Sequence, residues 1–225
     1  MSDAGFDLVI FDNDGVLVDS EPQAQRVTAA LITELGFPMA PADCGAQFLG
    51  WSLATIRAWV ATRVIVPEDF EAVFHARLFA AFATGLGPMP GVAAALDEIR
   101  MATCVASSGS HERIRVSLAA TGLLPRFAGR IFSAQDVARG KPAPDLFLHA
   151  ARTCGADPAR CAVVEDSRSG VDAANAAGMT AFGFARDTPA AMLSHAGGGV
   201  FTAMSELPAL LVRAGRARLR AVAGQ

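Results

Sequence analysis

Short apolar runs alternate with helical patterns along most of the chain, and this alternation predicts an α/β fold. The first run, from Phe6 to Phe11, is apolar except for Asp7 and stops at Asp12, as a buried parallel strand typically does. After residue 91, amphipathic helical stretches are each followed by a short β-rich run, which is typical of βαβ units and favours a doubly wound parallel sheet. The predicted helices span 92–100, 112–121, 145–154 and 169–177, and the further predicted strands span 103–107, 130–133, 161–164, 180–184 and 200–201.

The stretch between residues 21 and 82 has helical spacing throughout and predicts three or four helices. Apolar residues recur on one helix face, for example at Val27, Leu31 and Leu35. Glycines and prolines between 85 and 91 are typical of a linker that returns the chain to the sheet. The expected domains are an inserted all-α domain at 18–85 and an α/β domain formed by 1–17 and 86–225.

Composition and charge narrow the class of protein. The 225 residues are 52% apolar and 18% charged, which favours a globular protein with a sizeable core over a disordered chain. The net charge of −3 gives no electrostatic reason to expect nucleic acid as a partner. No signal peptide or membrane span is evident, and the four cysteines form neither a disulfide framework nor a zinc pattern. We therefore expect a cytoplasmic protein without a membrane partner. A monomer is the expected oligomeric state.

The basic residues are unevenly distributed, because one lysine, Lys141, stands beside 18 arginines. Base-composition bias accounts for arginine in place of lysine elsewhere, but it does not explain why this one position keeps a lysine. Four of the arginines fall within Arg213–Arg220, where a solvated helix face is the expected structure and a site for an acidic partner is the alternative.

Polar side chains follow several predicted strands at the points where the strands end. In an open parallel sheet these carboxyl ends form the crevice that binds ligands, so we expect the polar side chains to converge there. Clustered carboxylates are oxygen ligands suited to Mg²⁺, and a divalent ion relieves their mutual repulsion. Lys141, in the loop after the third strand, would add a positive charge. The polar residues at strand ends are Asp12, Asn13, Asp14, Ser107, Ser108, Glu165 and Asp166.

Four segments, in order, resemble the motifs of the haloacid dehalogenase (HAD) superfamily. Phe11–Glu21 resembles the first motif and, more narrowly, that of the β-phosphoglucomutase-like group. Val105–Ser108, Gly140–Asp145 and Val163–Gly170 match the second, third and fourth motifs. The helical insertion matches the position of the family's cap domain. The resemblance implies a Rossmann-like, HAD-like catalytic core with a doubly wound parallel sheet, and a helical cap at 18–85.

The resemblance also implies a role for each motif residue. Asp12 would be the nucleophile that forms an aspartyl-phosphate, and Asp14 would be the general acid and then the general base. Lys141 would neutralise the nucleophile and the phosphoryl group, and Ser107 would donate to a phosphoryl oxygen. Asp166 would hold Mg²⁺ together with the Asp12 carboxylate and the Asp14 carbonyl. The candidate metal residues are Asp12, Asp14, Glu165 and Asp166.

Further residues near these motifs are candidates for contacts with the substrate. Gly15 would let the backbone approach the phosphoryl oxygens closely. Trp51 would line the cap side of the substrate cavity, with a place in the apolar interior of the cap as the alternative. The candidate substrate-binding residues are Asn13, Gly15, Glu21, Gly50, Trp51, Ser108 and His111.

Each motif has a simpler interpretation when it is taken alone. The sequence Asp12–Gly15 is also typical of a turn or a calcium loop, and Ser107 of a strand-end hydroxyl that bonds to backbone. The pair Glu165–Asp166 is also typical of residues that cap the following helix. Four motifs in the family's order favour catalysis over these alternatives.

Departures from the family pattern favour hydrolysis of a phosphomonoester. Dehalogenases and phosphonatases lack an acid at the position of Asp14, and phosphonatases use a cap lysine that this insertion does not contain. The mutases carry a His and an Arg where this chain has Ala24 and Leu53. We therefore expect a Mg²⁺-dependent phosphatase of a sugar, sugar-acid or polyol phosphate, or of phosphoglycolate. A hexose-phosphate mutase and a non-catalytic phosphometabolite-binding protein are the alternatives.

Overall fold

A computed structural model describes residues 5–48 and 51–223. The chain divides into two compact units, of which one contains the residues up to 18 and from 88 onward and the other contains residues 19–87. The strands of the first unit are β1 (Leu8–Phe11), β2 (Ala102–Ser107), β3 (Ile131–Ser133), β4 (Cys161–Glu165), β5 (Thr180–Phe184) and β6 (Gly199–Phe201). Its helices are α5 (Val92–Glu98), α6 (His111–Ala120), α7 (Asp145–Thr153), α8 (Arg168–Ala176) and α9 (Leu207–Ala223).

All six strands described in this unit are parallel, in the order β3-β2-β1-β4-β5-β6. Every residue of β1 and β4 is buried, as expected for strands that helices cover on both faces. Strand β1 pairs with β2 on one side and β4 on the other, so that Phe11 lies opposite Val105 and Val164. The carboxyl ends of these three strands are therefore neighbours. The predicted α/β fold with a doubly wound parallel sheet is confirmed.

The second unit is helical, and its described helices are α1 (Glu21–Glu34), α2 (Pro41–Phe48), α3 (Leu53–Ala61) and α4 (Phe70–Gly85). A small apolar core that includes Ile32, Phe48 and Val60 holds α1, α2 and α3 together. The predicted three or four helices in this stretch are thus present. The assignment of the two units to a catalytic core and a cap, with boundaries at 17/18 and 85/86, stays a prediction.

The predicted helices and strands of the sheet unit agree with the structure to within two residues at each end. The first strand begins at Leu8 and not at Phe6. Asp7, just before it, donates its N–H to the carbonyl of Arg160 at 2.9 Å and accepts from the Arg160 Nε at 2.5 Å. The helix that begins at Val92 ends at Glu98 because Ile99 is already extended. Both differences come from contacts with distant residues or from backbone geometry that hydrophobic periodicity does not report.

The arginine-rich segment lies on α9, and it is not uniformly a solvated face. Arg213, Arg216 and Arg220 are exposed as expected. Arg218 instead packs inward, where it donates to the hydroxyl of Thr180 at 3.2 Å and lies over the ring of Phe6. The expectation of a solvated face is therefore wrong at Arg218. No described helix is long and apolar enough to cross a membrane.

Candidate active site

Three neighbouring strands deliver polar groups to the same edge of the sheet. Asp12 follows β1 directly, and its N–H continues the ladder by donating to the carbonyl of Val164 at 3.0 Å. Ser107 and Glu165 are the last residues of β2 and β4. All three side chains are buried. Because β2, β1 and β4 are parallel neighbours, the polar side chains at their carboxyl ends converge at one edge of the sheet, as expected.

Lys141 joins two of these strand ends through a buried ammonium group. Its side chain is 3% exposed, and Nζ donates to Asp12 Oδ1 at 2.6 Å and to Glu165 Oε1 at 2.5 Å. The third donor hydrogen goes to the carbonyl oxygen of Ala106 at 3.0 Å. All three hydrogens of the ammonium are thus satisfied by acceptors on β2, on β4 and directly after β1. Such a buried cation is stable only because two carboxylates surround it.

The loop that carries Lys141 is braced from its exposed side. The guanidinium of Arg139 forms two hydrogen bonds with the carboxylate of Asp145, at 2.8 and 2.7 Å, across the base of this loop. The N–H of Ala143 donates to the carbonyl of Gly140 at 3.0 Å. A fixed loop is required because Lys141 must hold one position between two strands.

Burial dominates the electrostatics of Asp12. It raises the pKa of Asp12 to about 7, and the Lys141 ammonium opposes this increase while Glu165 and Asp14 add to it. For Lys141, burial alone would lower the pKa, but the Asp12 and Glu165 carboxylates hold it above its usual range. Lys141 is therefore positively charged at neutral pH. This single ammonium neutralises only part of the negative charge of the surrounding carboxylates.

The described carboxylates can accept a metal ion at one place. Oxygens of Asp12, Glu165 and Asp166 lie within 4.8 Å of one another. With these three carboxylates ionised and Lys141 protonated, the cluster has a formal charge of −2, which a divalent cation would balance. Hard oxygen donors of this kind suit Mg²⁺. The donor set therefore fits a magnesium ion. The Asp14 carboxylate lies outside this group of three, and the Asp14 carbonyl as a metal ligand stays a prediction.

Glu165 is held differently from the other two acids of this group. Its Oε1 accepts from Lys141, and its Oε2 accepts from the backbone N–H and the hydroxyl of Ser167, at 3.1 and 2.8 Å. Ser167 is also the residue that caps α8, by accepting from the N–H of Gly170 at 3.0 Å. The alternative that Glu165 or Asp166 caps this helix is therefore wrong. Glu165 is fixed chiefly as a partner of the ammonium.

Gly15 gives Asp166 the space that it occupies. A Cβ at Gly15 would overlap the carboxylate of Asp166, and the backbone there has a φ of +77°, which favours glycine. The sequence predicted that Gly15 would allow an approach to a phosphoryl group. The structure shows that it admits a neighbouring candidate metal residue.

Asp14 is bound to α6 by an ion pair that the sequence pattern does not predict. Arg113 Nη2 donates to Asp14 Oδ1 at 2.8 Å, and both side chains are 19% exposed. Arg113 is in the first turn of α6, which begins after Ser110 caps the helix by accepting from the N–H of Arg113. Its place three residues after Ser110, in the segment that follows the second motif, is the sequence signal that could have identified it.

Asn13 has a side chain that faces the interior of the protein. Its Nδ2 donates to the hydroxyl of Ser117 at 3.0 Å and, more weakly, to Asp14 Oδ2 at 3.4 Å, and the residue is fully buried. The predicted substrate contact cannot come from this side chain in the arrangement described. Asn13 instead fixes the turn, because its carbonyl accepts from Leu17 and Val18 at 2.9 and 3.0 Å.

The other candidates of the sheet unit lie around the ends of β2 and β3. Ser107 Oγ accepts from the N–H of Gly109 at 3.2 Å, whereas Ser108 is exposed. His111 begins α6, and its Nε2 lies 2.8 Å from Asp136 Oδ1. The carboxylate of Asp136 therefore orients the imidazole, which is 36% exposed.

The candidates in the helical unit are not gathered into such a cluster. Glu21 is the first residue of α1 and is half-buried, and Trp51 is 40% exposed with its ring 5.5 Å from that of Phe48. Gly50 lies outside the described residues. Gln23, near Glu21, donates to the carbonyl of Gly85 at 2.5 Å and so ties the start of α1 to the end of α4.

A sequence profile of haloacid dehalogenase-like hydrolases matches residues 6–178. The chain belongs to the haloacid dehalogenase-like hydrolase family. It is 31% identical to the 6-phosphogluconate phosphatase of Escherichia coli over 205 residues. The aligned region covers 90% of this chain and 93% of the relative. The predicted membership of the superfamily and the prediction of an enzyme that hydrolyses phosphoric monoesters are confirmed.

Solved structures of the family have the same fold. A haloacid dehalogenase-like protein of unknown function from Agrobacterium tumefaciens superposes with a TM-score of 0.83 at 36% identity, covering 93% of this chain and 99% of that one. A HAD family hydrolase from Deinococcus radiodurans, solved with bound phosphate and sodium, gives a TM-score of 0.79 at 33% identity and covers 95% and 98% of the two chains. The similarity therefore extends over nearly the whole length of each protein.

Proposed function

We propose that this protein is a Mg²⁺-dependent phosphatase that hydrolyses a small phosphorylated metabolite through an aspartyl-phosphate at Asp12. The observation that carries the proposal is the buried ammonium of Lys141, bonded to both Asp12 and Glu165 beside the carboxylate of Asp166. A structural ion pair would need one carboxylate, whereas this arrangement concentrates acids beyond what the lysine neutralises. Such excess charge is expected where a cation and a phosphoryl group are to be bound.

Asp12 would act as the nucleophile. A carboxylate is weakly reactive toward a phosphomonoester dianion because both groups are negative, so positive charge near both is the main requirement for catalysis. Lys141 supplies one such charge at 2.6 Å from Asp12. Ser107, buried at the end of β2, would donate its hydroxyl proton to a phosphoryl oxygen.

Asp14 would then carry the proton. It gives a proton to the oxygen of the leaving alcohol when Asp12 attacks phosphorus, and it takes one from the water that hydrolyses the aspartyl-phosphate. Arg113 holds its carboxylate at 2.8 Å and so sets its position. Asp12, Asp166 and the carbonyl of Asp14 would hold Mg²⁺, with Glu165 in the same acidic cluster, and the bound ion would supply charge neutralisation for the transferring phosphoryl group.

The substrate class we favour is a sugar-acid or sugar monophosphate. The relative from Escherichia coli is named for 6-phosphogluconate, and the Deinococcus radiodurans protein holds phosphate. Leu53 begins α3 where the mutases of the resembled group carry an arginine, so the chain lacks that anchor for a second phosphate. This departure favours hydrolysis over phosphoryl exchange between two positions of a sugar.

The direct test is phosphate release from a panel of sugar, sugar-acid and polyol monophosphates and phosphoglycolate, with Mg²⁺ or with a chelator. We expect turnover with Mg²⁺ and loss of about 10⁴-fold or more in Asp12→Asn, because the nucleophile is removed. Acid-quenched protein should carry one added phosphoryl group at Asp12. Turnover that survives in Asp12→Asn would overturn the mechanism.

The same panel separates the alternatives. β-Glucose 1-phosphate that is isomerised without release of phosphate would show a mutase. Binding of a panel compound, measured by calorimetry, without turnover of any compound under any metal condition would show a binding protein. Asp97→Asn, at an exposed carboxylate on α5, provides a folded control with an altered carboxylate outside the acidic cluster.

A further inference from the structure

A groove on the sheet unit lies between α9 and the segment that joins α5 to β2. Its volume is about 780 Å³, which is typical of a ligand-binding cleft. Apolar side chains form much of its wall, among them Ile99, Pro208 and Val212, and Val212 is 41% exposed. Along α9 the lining extends from Pro208 to Arg220, which is about 18 Å at 1.5 Å per residue. The groove is therefore long enough to hold a segment of another chain.

Arginine side chains line both walls of this groove. One is on the segment between α5 and β2, and three are on one face of α9, where they follow one another at intervals of three and four residues. All are exposed, and none of these side chains forms an ion pair or a hydrogen bond with another residue of the described chain. They are Arg100, Arg213, Arg216 and Arg220. With Glu98 as the single acid of the lining, the groove has a formal charge of +3 in a chain whose net charge is −3.

Other exposed arginines of the sheet unit have acidic partners within the chain. Arg126 Nη1 lies 2.7 Å from Asp97 Oδ1, and Arg139 Nη2 lies 2.7 Å from Asp145 Oδ1. The arginines of the groove differ from these, because no described carboxylate pairs with them. A carboxylate that neutralises them would belong to another molecule.

The opposite face of α9 holds the helix in place. Leu207 and Leu211 are fully buried, and Arg218 lies over the ring of Phe6. The arginines of the groove make none of these contacts. Their substitution should therefore leave α9 packed on the sheet unit, so that binding to the groove can be tested in folded variants.

The groove is at the end of β2 that is remote from the candidate active site. Its lining includes Met101, which leads into Ala102 at the start of β2, whereas Ser107 ends the same strand at the carboxyl edge of the sheet. These two ends of β2 are about 17 Å apart at 3.3 Å per residue. Binding in the groove is thus independent of the proposed phosphatase chemistry.

We propose that this groove binds a short acidic segment of another protein that also carries apolar side chains. Arg213 and Arg220 are about 10 Å apart along the helix axis, so a single carboxylate or phosphate could not neutralise both. A peptide with several acidic residues could pair with the arginines in turn and so fix its register. Apolar side chains of the same peptide would cover Val212 and the wall beside it, as in other grooves that bind amphipathic segments.

Other occupants match this surface less well. Two copies of the chain related by a two-fold axis through the groove would bring arginine against arginine. The lining contains no aromatic side chain on which a nucleic-acid base could stack. Ile99 is 9% exposed and lies within the groove, where a flat lipid surface would not cover it.

Fluorescence anisotropy with labelled twelve-residue peptides and the full protein tests the groove. The probe carries three glutamates spaced as the arginines of α9 are, with leucines beside them. One matched peptide has lysine in place of glutamate, and another has serine in place of leucine. We expect the probe to bind about tenfold or more tightly than either matched peptide, and its affinity to fall with added salt because the charges are exposed.

Charge reversal in the groove gives a gain of binding that misfolding cannot produce. The double substitution Arg213→Glu with Arg216→Glu should weaken binding of the probe about tenfold or more and should strengthen binding of the lysine peptide. Arg115→Glu, at an exposed arginine on α6 outside the groove, is the matched control and should bind the probe as the wild type does. Phosphate release by both variants should equal that of the wild type.

Three results would overturn the proposal. Equal binding of the serine peptide would mean that the surface attracts negative charge alone. Unchanged affinity in the double variant would place the peptide elsewhere on the protein. If no peptide binds, co-sedimentation with phosphatidylglycerol vesicles would assign the face to lipid, and self-association in analytical ultracentrifugation would assign it to a second copy of the chain. A wild type without phosphatase activity would contradict the proposed function and leave the peptide result unaffected.

Discussion

The candidate residues of the sheet unit and those of the helical unit differ in how firmly their neighbours hold them. In the sheet unit, Asp12, Lys141 and Glu165 are buried and bonded to one another across three strands. In the helical unit, Glu21 is half-buried at the start of a helix, and Trp51 is 40% exposed and contacts one aromatic ring. A substitution in the first set breaks buried hydrogen bonds, whereas a substitution in the second set should cost little stability.

This difference teaches where chemistry and selectivity are expected to reside. Phosphoryl transfer depends on charges fixed in advance, because electrostatic stabilisation is lost when the groups must reorganise. Buried, mutually bonded groups on strand ends meet that requirement. Recognition of different metabolites instead depends on side chains that can be exchanged without unfolding the protein, as exposed positions of the helical unit can. Substitutions in each unit test that division.

Lys141→Arg should lower phosphatase turnover by about 10³-fold although it keeps the charge. The ammonium places three hydrogens on Asp12, Glu165 and the Ala106 carbonyl within a side chain that is 3% exposed. A planar guanidinium presents its donors as a fork and is larger, so it cannot reproduce this arrangement. The measurement is kcat with a panel substrate, after thermal unfolding has shown that the variant is folded.

Lys141→Met is the matched control for charge. If the geometry of the ammonium matters, Arg and Met should be about equally inactive. Near-normal activity of Lys141→Arg would mean that positive charge alone suffices. The exact hydrogen-bond geometry at residue 141 would then matter less for catalysis than the structure indicates.

Arg113→Met should lower kcat about tenfold for alkyl phosphates, because Asp14 loses the guanidinium that sets its position at 2.8 Å. The effect should be smaller with p-nitrophenyl phosphate, whose leaving group needs no proton. Arg115→Met, an exposed arginine on the same helix, is the control and should be neutral. Equal losses with both types of leaving group would show that Arg113 does not act through Asp14.

Arg113 also shows which part of the site the sequence could not predict. Asp12, Ser107 and Glu165 were predictable because parallel strands place their carboxyl ends together whatever their side chains are. The pair of Arg113 with Asp14 depends on how α6 is rotated above a turn 99 residues away in sequence. Periodicity identifies a helix face, but it does not identify the partner of one side chain on that helix.

The same reasoning applies to the fold. The alternation of apolar runs predicted the parallel sheet and its helices, since burial on both faces leaves a direct signature in sequence. It did not predict the inward packing of Arg218 on α9, because an arginine at helical spacing is compatible with either environment until its neighbours are known.

Mg²⁺ should stabilise the protein more above pH 7 than below it. Burial raises the pKa of Asp12 from 3.8 to about 7, so between these values the metal-free folded state binds a proton that the unfolded chain does not. The stability contributed by this group therefore falls as pH rises from about 4 to about 7. Bound Mg²⁺ replaces that proton, and its stabilising effect should grow over the same window.

Thermal unfolding with and without Mg²⁺, about one pH unit on either side of 7, measures this effect. We expect the Mg²⁺-induced rise in Tm to be about 2–4 °C larger on the alkaline side, equivalent to roughly 1 kcal/mol for a chain of this size. Asp166→Asn should abolish the rise at both pH values. An equal rise on both sides would place the metal away from Asp12.

Trp51→Ala should have the smallest effect on the chemistry, and that makes it the sharpest test of the helical unit. Turnover of p-nitrophenyl phosphate should change by less than about threefold, because an exposed side chain outside the buried cluster contributes little to stability or charge. If the helical unit selects the substrate, KM for the preferred metabolite should rise while kcat with p-nitrophenyl phosphate is kept. Ile65→Ala, at a position 92% exposed in the same unit, should change neither parameter. A large loss of kcat with both substrates would instead place Trp51 with the groups that the chemistry requires, and selectivity would then have to reside elsewhere.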